Sequence, residues 1–391
     1  VRSVSRQNIP FVLGEAIFAM TNQSRTTVLF TGYAPVHFLC FQPLYQRLIQ
    51  MNDCDVFVSG GLRTKTESGY HYDEQGLYQP FNIPESRILS VNEIRHRDFD
   101  FLFSACTKLI TPRKTKTRVQ IFHGISFRNR AIREANMKCD AYFFVGPYMR
   151  RKFIEAGLFV ENDPRILPIG FAKTDRLING ELDRSATLKA HGLDGSRPVL
   201  LFAPTGDKHN SLEIMGEQVI TSIRNTKRYD LIVKPHDHPK NNIDWFERLA
   251  PLTDEHTRVV RSLDVIPLMH AADLLITDAS SVSNEYSLLD RPMIFLDVPK
   301  LIAHMMERKA SMLDMDTWGR HGGIVVKKPE MVLDAIEQSL ANPARHSSVR
   351  KAMVADMFFN PGTATDHAMK WITQHITANR SKPRGVSVQQ A

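Results

Sequence analysis

Residues 274–286 constrain this chain more than any other stretch. An apolar run, 272–276, passes without a break into Thr277-Asp278-Ala279-Ser280-Ser281, and residues 283–289 continue at helical spacing until Pro292 stops them. A buried strand that runs straight into a helix start is the phosphate-binding unit of α/β proteins, because a helix N-terminus presents free N–H groups and partial positive charge. Asp278 to Ser281 offer several N-cap residues, and Ser280 and Ser281 are placed to cradle a pyrophosphate or phosphate ester. A Ser-rich cap with a purely structural role has the same appearance. The next apolar run, 291–297, ends in Asp297 and completes a βαβ crossover.

The same alternation extends in both directions. Residues 27–31 read as a strand ending in Gly32, followed by a helix-like segment at 38–50, with further strands at 55–59, 99–103, 118–122, 141–145 and 165–169. Composition turns polar from Leu177 to Pro198, with Asn179-Gly180 and Asp194-Gly195, and the pattern then restarts with strands at 199–203, 230–233, 257–260, 274–277, 293–296 and 323–326. The chain is therefore expected to be an α/β protein of two similar halves, each a parallel sheet wrapped by helices. The expected divisions are an N-terminal segment (1–26), a first domain (27–176), a linker (177–197), a second domain (198–378) and a basic tail (379–391) carrying Arg380, Lys382 and Arg384. A length of 391 residues with 42% apolar content suffices for two such domains.

A formal charge of +8 points to anionic partners: nucleotides, phosphate polymers, nucleic acid or an acidic membrane surface. Cys40, Cys54, Cys106 and Cys139 lack CxxC spacing, which argues against a zinc site or disulfide framework and favours a reducing compartment, most simply the cytosol. The apolar stretch 9–20 contains Pro10 and Glu15 and is too short to span a bilayer; Arg2 and Arg6 precede it, but no convincing small-residue cleavage site follows.

Candidate chemistry gathers at predicted strand ends. His123-Gly124 follows the strand at 118–122, where an imidazole serves either as a general base near neutral pH or as a member of a turn. Arg128 and Arg130 lie nearby, as anion ligands or as a solvated helix start. The second half repeats the arrangement with Lys234-Pro235-His236-Asp237-His238-Pro239, in which Lys234 and His236 are suited to neutralise phosphate; His236 and His238 at i and i+2 make a weak metal site. Thr205 and the Gly206 N–H follow the strand at 199–203 and are suited to touch a nucleotide, or form an ordinary turn. Gly170, Lys173 and Asp175 close the first half, Asp175 as a cap or a ribose contact. No Walker A sequence, GxSxG elbow or GxGxxG is present, which weakens the P-loop NTPase, hydrolase and dehydrogenase readings.

Taken in order, His123-Gly124, Gly170 to Asp175 (Gly-x-x-Lys-x-Asp), Ala203-Pro204-Thr205, Lys234-Pro235-His236 and Thr277 to Ser281 resemble the CDP-glycerol glycerophosphotransferase family of teichoic-acid and related capsule enzymes. The resemblance spans about residues 123–296. It implies a GT-B architecture, two Rossmann-like domains facing a cleft, with the donor nucleotide held mostly by the second. Members move a glycerol-phosphate or ribitol-phosphate unit from a CDP-alditol to a hydroxyl of a membrane-linked acceptor. The family's two functional histidines map onto His123 and His236, and its donor-phosphate contacts onto Ser280-Ser281. The chain departs from the pattern with Ile125-Ser126 where Thr-Pro is common, and with Pro235 and Asp237 around His236, changes that bear on acceptor and alditol identity more than on fold.

On this resemblance His123 is expected to act as general base. His236 and Lys234 would stabilise phosphate charge, with Gly124, Arg128, Lys173, Asp175, Thr205, Asp278, Ser280, Ser281 and Glu285 as substrate contacts. No metal ligand set is evident, and the one cofactor compatible with this reading is a Mg2+ held loosely on the pyrophosphate. The expected partners are a CDP-alditol donor, a lipid-linked polymer acceptor and the anionic inner face of the cell membrane, docked through Arg128, Arg130, Arg133, Arg150, Arg151 and Lys152 unless these are only a solubilising face. A GT-B glycosyltransferase or epimerase using a UDP-sugar is the neighbouring alternative. A non-catalytic nucleic-acid- or membrane-binding protein is disfavoured, because no concentrated basic-aromatic patch or nucleic-acid motif is present.

Overall fold

Ala141–Phe144, Leu274–Thr277 and Met293–Leu296 bury every side chain. A strand that is covered on both faces belongs in a parallel sheet flanked by helices. The computed structural model describes residues 25–381 apart from 68, 107–108, 125–127, 237–242 and 308–312. Expectations for the stretch 9–20, for Ile125, Ser126, Asp237, His238 and Pro239, and for the tail beyond 381 lie outside the described residues.

The first half supplies β1 (Thr26–Gly32), β2 (Cys54–Gly60), the antiparallel pair β3 (Leu62–Thr66) and β4 (Gly69–Asp73), β5 (Ile88–Leu89), β6 (Asp98–Ser104), β7 (Lys114–Ile121), β8 (Ala141–Phe144) and β9 (Ile166–Pro168). Apart from the hairpin these strands form one parallel sheet, ordered β5-β2-β1-β6-β7-β8-β9. The second half supplies β10 (Val199–Phe202), β11 (Asp230–Val233), β12 (Thr257–Val259), β13 (Leu274–Thr277), β14 (Met293–Leu296) and β15 (Ile324–Val326), ordered β12-β11-β10-β13-β14-β15. In each sheet the order reverses beside the first strand of its half, and the carboxyl edge at such a switch point opens a crevice for ligands. Packing on the first sheet is aromatic: Phe30 stacks on Phe41 and Phe103 with ring centres 4.8 and 5.0 Å apart. All four cysteines are buried free thiols, and loss of solvation pushes Cys40 up to about 12.

The chain does not end in the second half. Met357, Phe358, Ala368, Met369, Ile372 and Ile376 belong to the core of the first sheet, and Trp371 packs edge-on against Phe143 with ring centres 5.4 Å apart. The expected second domain of residues 198–378 is thus corrected at its C-terminal end: the final helix, Ala364–Ser381, crosses back onto the first half. Its apolar spacing tells a helix from a strand but does not say which sheet the helix covers.

The Gly170–Asp175 segment receives this returning chain. Gly170 has φ +102° and leaves room for Phe359 O, which a Cβ would meet at 2.1 Å. Asp175 is buried, and its carboxylate accepts from Ala364 N and Thr365 N at 3.1 and 2.7 Å, capping the final helix. Of the two roles expected for Asp175, the cap is the one the structure shows. Asp175→Ala should therefore lower unfolding stability by about 1–2 kcal/mol while leaving nucleotide affinity unchanged, as checked by denaturant titration and nucleotide calorimetry; lost nucleotide affinity at full stability would restore the ribose contact.

Candidate functional site

The carboxyl edges of the two sheets face each other across a cavity of about 590 Å³. His123, Lys173, Thr205, Lys234, His236 and Ser281 are among its lining residues, and nearly all the candidates follow strands: β7, β9, β10, β11 and β13.

His123 is open to the cavity, and its Nδ1 lies 2.8 Å from Ala105 O. A carbonyl only accepts, so Nδ1 carries the proton and Nε2 is left as the basic nitrogen. Loss of bulk solvation lowers its pKa first, with nearby Lys173 adding in the same direction and the Ala105 bond opposing. Behind it stands His37, which sequence reading missed, with ring centres 5.0 Å apart and planes at 73°. Tyr33 N–H donates to His37 Nδ1 at 3.1 Å, and burial, then the neighbouring His123 and Arg63, hold His37 well below the ordinary imidazole value. Its place within an apolar helical run, Pro35–Leu48, resembles an ordinary core position.

Lys234 is buried at the end of β11, and His236 two residues on opens to the cavity. The His236 ring packs over Gly206, where an added Cβ would meet its Cγ and Nδ1 at 2.6 Å. Gly206 therefore fixes the position of His236, a role invisible in the turn composition of 203–207.

On the facing side Ser280 and Ser281 line the cavity. Ser281 is the N-cap of the five-residue helix Val282–Tyr286 and makes no side-chain cap bond. Gly124 stands 3.9 Å, measured from an ideal Cβ, from Ser281 Oγ, so the His-Gly turn of one half meets the serine turn of the other. Asp278 departs from expectation as a cap, since Ser281 takes the N-cap position. It is fully buried, accepting from Thr205 N at 3.0 Å and from Ser211 N and Oγ at 2.9 and 2.8 Å, and it ties the ends of β13 and β10 together. Burial raises its pKa despite these bonds.

Arg128 reaches across the cleft. Its guanidinium donates to Asp207 Oδ2 at 2.6 Å, to Ala279 O at 3.0 Å and to Thr205 Oγ1, while Arg130 meets the same Asp207 oxygen at 3.1 Å. Asp207, which sequence reading passed over, is 1% exposed. A second crossing joins Lys173 to Glu285 at 2.8 Å, both buried and both on the cavity wall. Arg128, Lys173, Thr205 and Glu285 thus begin as a cross-cleft clamp rather than as open ligands.

Of the cations expected to face a membrane, Arg150 pairs with Glu161, Arg151 with Asp356, Lys152 with Glu155 and Asp314, and Arg128 and Arg130 with Asp207, while Arg133 is exposed.

Gly206→Ala should move the His236 ring while preserving the fold. It should slow turnover on the order of 10²-fold, the cost of misplacing a reacting group by about 1 Å; steady-state rates at unchanged thermal stability check this.

A sequence model of the CDP-glycerol:poly(glycerophosphate) glycerophosphotransferase family matches residues 82–372. The teichoic acid glycerol-phosphate primase of Bacillus subtilis is 28% identical over 209 residues, covering 48% of this chain and 52% of the relative. The teichoic acid ribitol-phosphate primase of Bacillus spizizenii is 32% identical over 165 residues, 40% of each chain. The chain spans about half the length, or less, of the curated relatives it matches. Among solved structures, a variant of the wall teichoic acid polymerase TagF has a TM-score of 0.70 at 16% identity, covering 92% of this chain and 91% of that one. A UDP-N-acetylglucosamine 2-epimerase has a TM-score of 0.57 at 11% identity, covering 93% and 100%. At these identities the likeness is one of fold, and the fold is of GT-B type. The family match takes in every one of the cross-cleft residues described above, and the chain belongs to the CDP-glycerol:poly(glycerophosphate) glycerophosphotransferase family.

Proposed function

We propose that the chain transfers an alditol phosphate, glycerol phosphate in the first instance, from a CDP-alditol to a hydroxyl of a lipid-linked teichoic-acid-type acceptor, releasing CMP. The observation that carries this reading is the meeting of His123 and His236, from different sheets, with Ser280 and Ser281 in one cavity. Family membership supports it, as do the glycerol-phosphate and ribitol-phosphate primases among the relatives and the soaking of crystals of TagF with CDPG.

The acceptor hydroxyl gives its proton to His123 Nε2 as its oxygen bonds to the phosphorus bearing the alditol. The bond from that phosphorus to the CMP oxygen breaks, and CMP leaves with the electron pair. Because such transition states are loose, the protein contributes position and charge rather than covalent chemistry. Lys234 and His236 stabilise the departing phosphate, and Ser280 with Ser281 hold the pyrophosphate. Among the described residues no group of three His, Cys, Asp or Glu is placed to hold a metal ion; a Mg2+ in this scheme would be held by the donor pyrophosphate and would offset its charge. Among the same residues no helix is long and apolar enough to cross a membrane; the lipid-linked acceptor places the reaction at the inner face of the cell membrane.

Nucleotide release by the purified chain tests the reading, with CDP-glycerol, CDP-ribitol or UDP-sugars and a membrane acceptor. CMP should appear, and His123→Ala should reduce its release about 10²- to 10⁴-fold with donor binding intact; UDP release instead would assign the chain to the UDP-sugar enzymes. The pH profile carries a separate expectation. A base whose pKa is depressed stays neutral to lower pH, so kcat/KM should hold down to about pH 6.5 and fall only as pH drops through the lowered value of His123; an acid limb centred above that pH would assign the proton transfer to another group.

A further inference from the structure

The hairpin β3–β4 takes no part in this mechanism, yet it rises from the edge that carries the base. It leaves β2 through Gly60-Gly61, and Gly61 N–H donates to Gly32 O at 3.0 Å, joining the root of the hairpin to the end of β1. Arg63, on β3, holds its guanidinium carbon 3.8 Å from the centre of the Tyr33 ring and 4.6 Å from that of Tyr70. Tyr33 is a wall of the cavity. Its ring lies edge-on to His37 at 4.5 Å, and His37 lies 5.0 Å from His123. Three successive contacts therefore lead from Arg63 to the base.

Among the described residues no carboxylate or carbonyl pairs with Arg63; it contacts the two tyrosine rings and exerts a longer-range charge influence on His37 and Cys106. Aromatic rings engage a guanidinium through its flat surface and leave the in-plane N–H groups available. A planar fork of available donors matches a phosphate, which it grips through two parallel bonds. Lys65, exposed on the same strand, adds positive charge. The side of the cleft identifies which phosphate. The donor pyrophosphate is placed at Ser280 and Ser281 on the second half, whereas Arg63 sits on the first half with His123, the side from which the attacking hydroxyl comes.

We propose that Arg63, held by Tyr33 and Tyr70, forms an acceptor subsite that binds a phosphate group of the acceptor chain close to its attacking hydroxyl. The proposal rests on the transfer reaction above and specifies what its acceptor carries: an anionic, phosphate-bearing end rather than a neutral sugar.

Calorimetric titration of the full chain with a short synthetic poly(glycerol phosphate) oligomer, and separately with CMP, tests it without requiring turnover. The wild-type chain should bind the oligomer, and Arg63→Ala should weaken that binding at least about tenfold, as expected for loss of a bidentate charged pair. Arg63→Lys should recover it only in part, since an ammonium has no planar fork. CMP affinity should be unchanged in both. Lys116, at the opposite end of β7 and paired with Asp100 at 2.6 Å, is the control for general charge, and Lys116→Ala should bind like wild type. Oligomer binding by Arg63→Ala at wild-type strength, an equal loss in Lys116→Ala, a parallel loss of CMP affinity, or no oligomer binding by the wild type would each overturn the subsite. A chain that fails to release CMP from CDP-glycerol but loses oligomer binding with Arg63 would refute the transfer reading and leave the subsite standing.

Discussion

Ion pairs cross the cleft, Arg128 with Asp207 and Lys173 with Glu285 among them, and the site depends on these two. Each joins a cation from the first half to a carboxylate from the second, in surroundings where an unpaired charge costs several kcal/mol. Such pairs add little net stability relative to apolar packing, but removing one partner strands the other at about 3–5 kcal/mol. Their effect is thus on geometry: they disfavour arrangements in which the two sheet edges separate without a replacement anion or cation. A donor phosphate arriving beside Arg128 or Lys173 offers such a replacement. The clamp that sets the cleft is therefore built from groups that a phosphate can engage.

Around this clamp, residues resembling ligands in the sequence divide into two sets. His123, Lys234, His236, Ser280 and Ser281 line the cavity. Asp175 and Asp278 do not: one caps the final helix and the other ties two strand ends at the switch point. The Gly-x-x-Lys-x-Asp segment is accordingly a junction. Gly170 admits the returning chain, Lys173 crosses the cleft and Asp175 anchors the last helix, so one short motif couples the closure of the fold to the closure of the site.

The fold was largely legible from residues because buried parallel strands are written as continuous apolar runs: those at 230–233, 274–277 and 293–296 coincide with the observed strands. The β3–β4 hairpin was not, since its side chains are mostly exposed and show no apolar pattern. The crossing of the last helix was hidden because periodicity specifies an element and not its partner. At the site, His123 and His236 stood out through their place after strands. Asp207, His37 and the part Gly206 plays in placing His236 did not, because these roles arise from contacts across long sequence separation or from a missing Cβ, neither of which leaves a local signal.

A crystal structure of the chain with a CDP-alditol bound would test most directly the claim that both halves build one phosphate-transfer site. The account predicts the pyrophosphate against Ser280 and Ser281, its alditol-bearing phosphate facing His123 Nε2, with Lys234 and His236 on its oxygens. A nucleotide bound elsewhere, or one whose phosphates lie out of reach of both histidines, would contradict it.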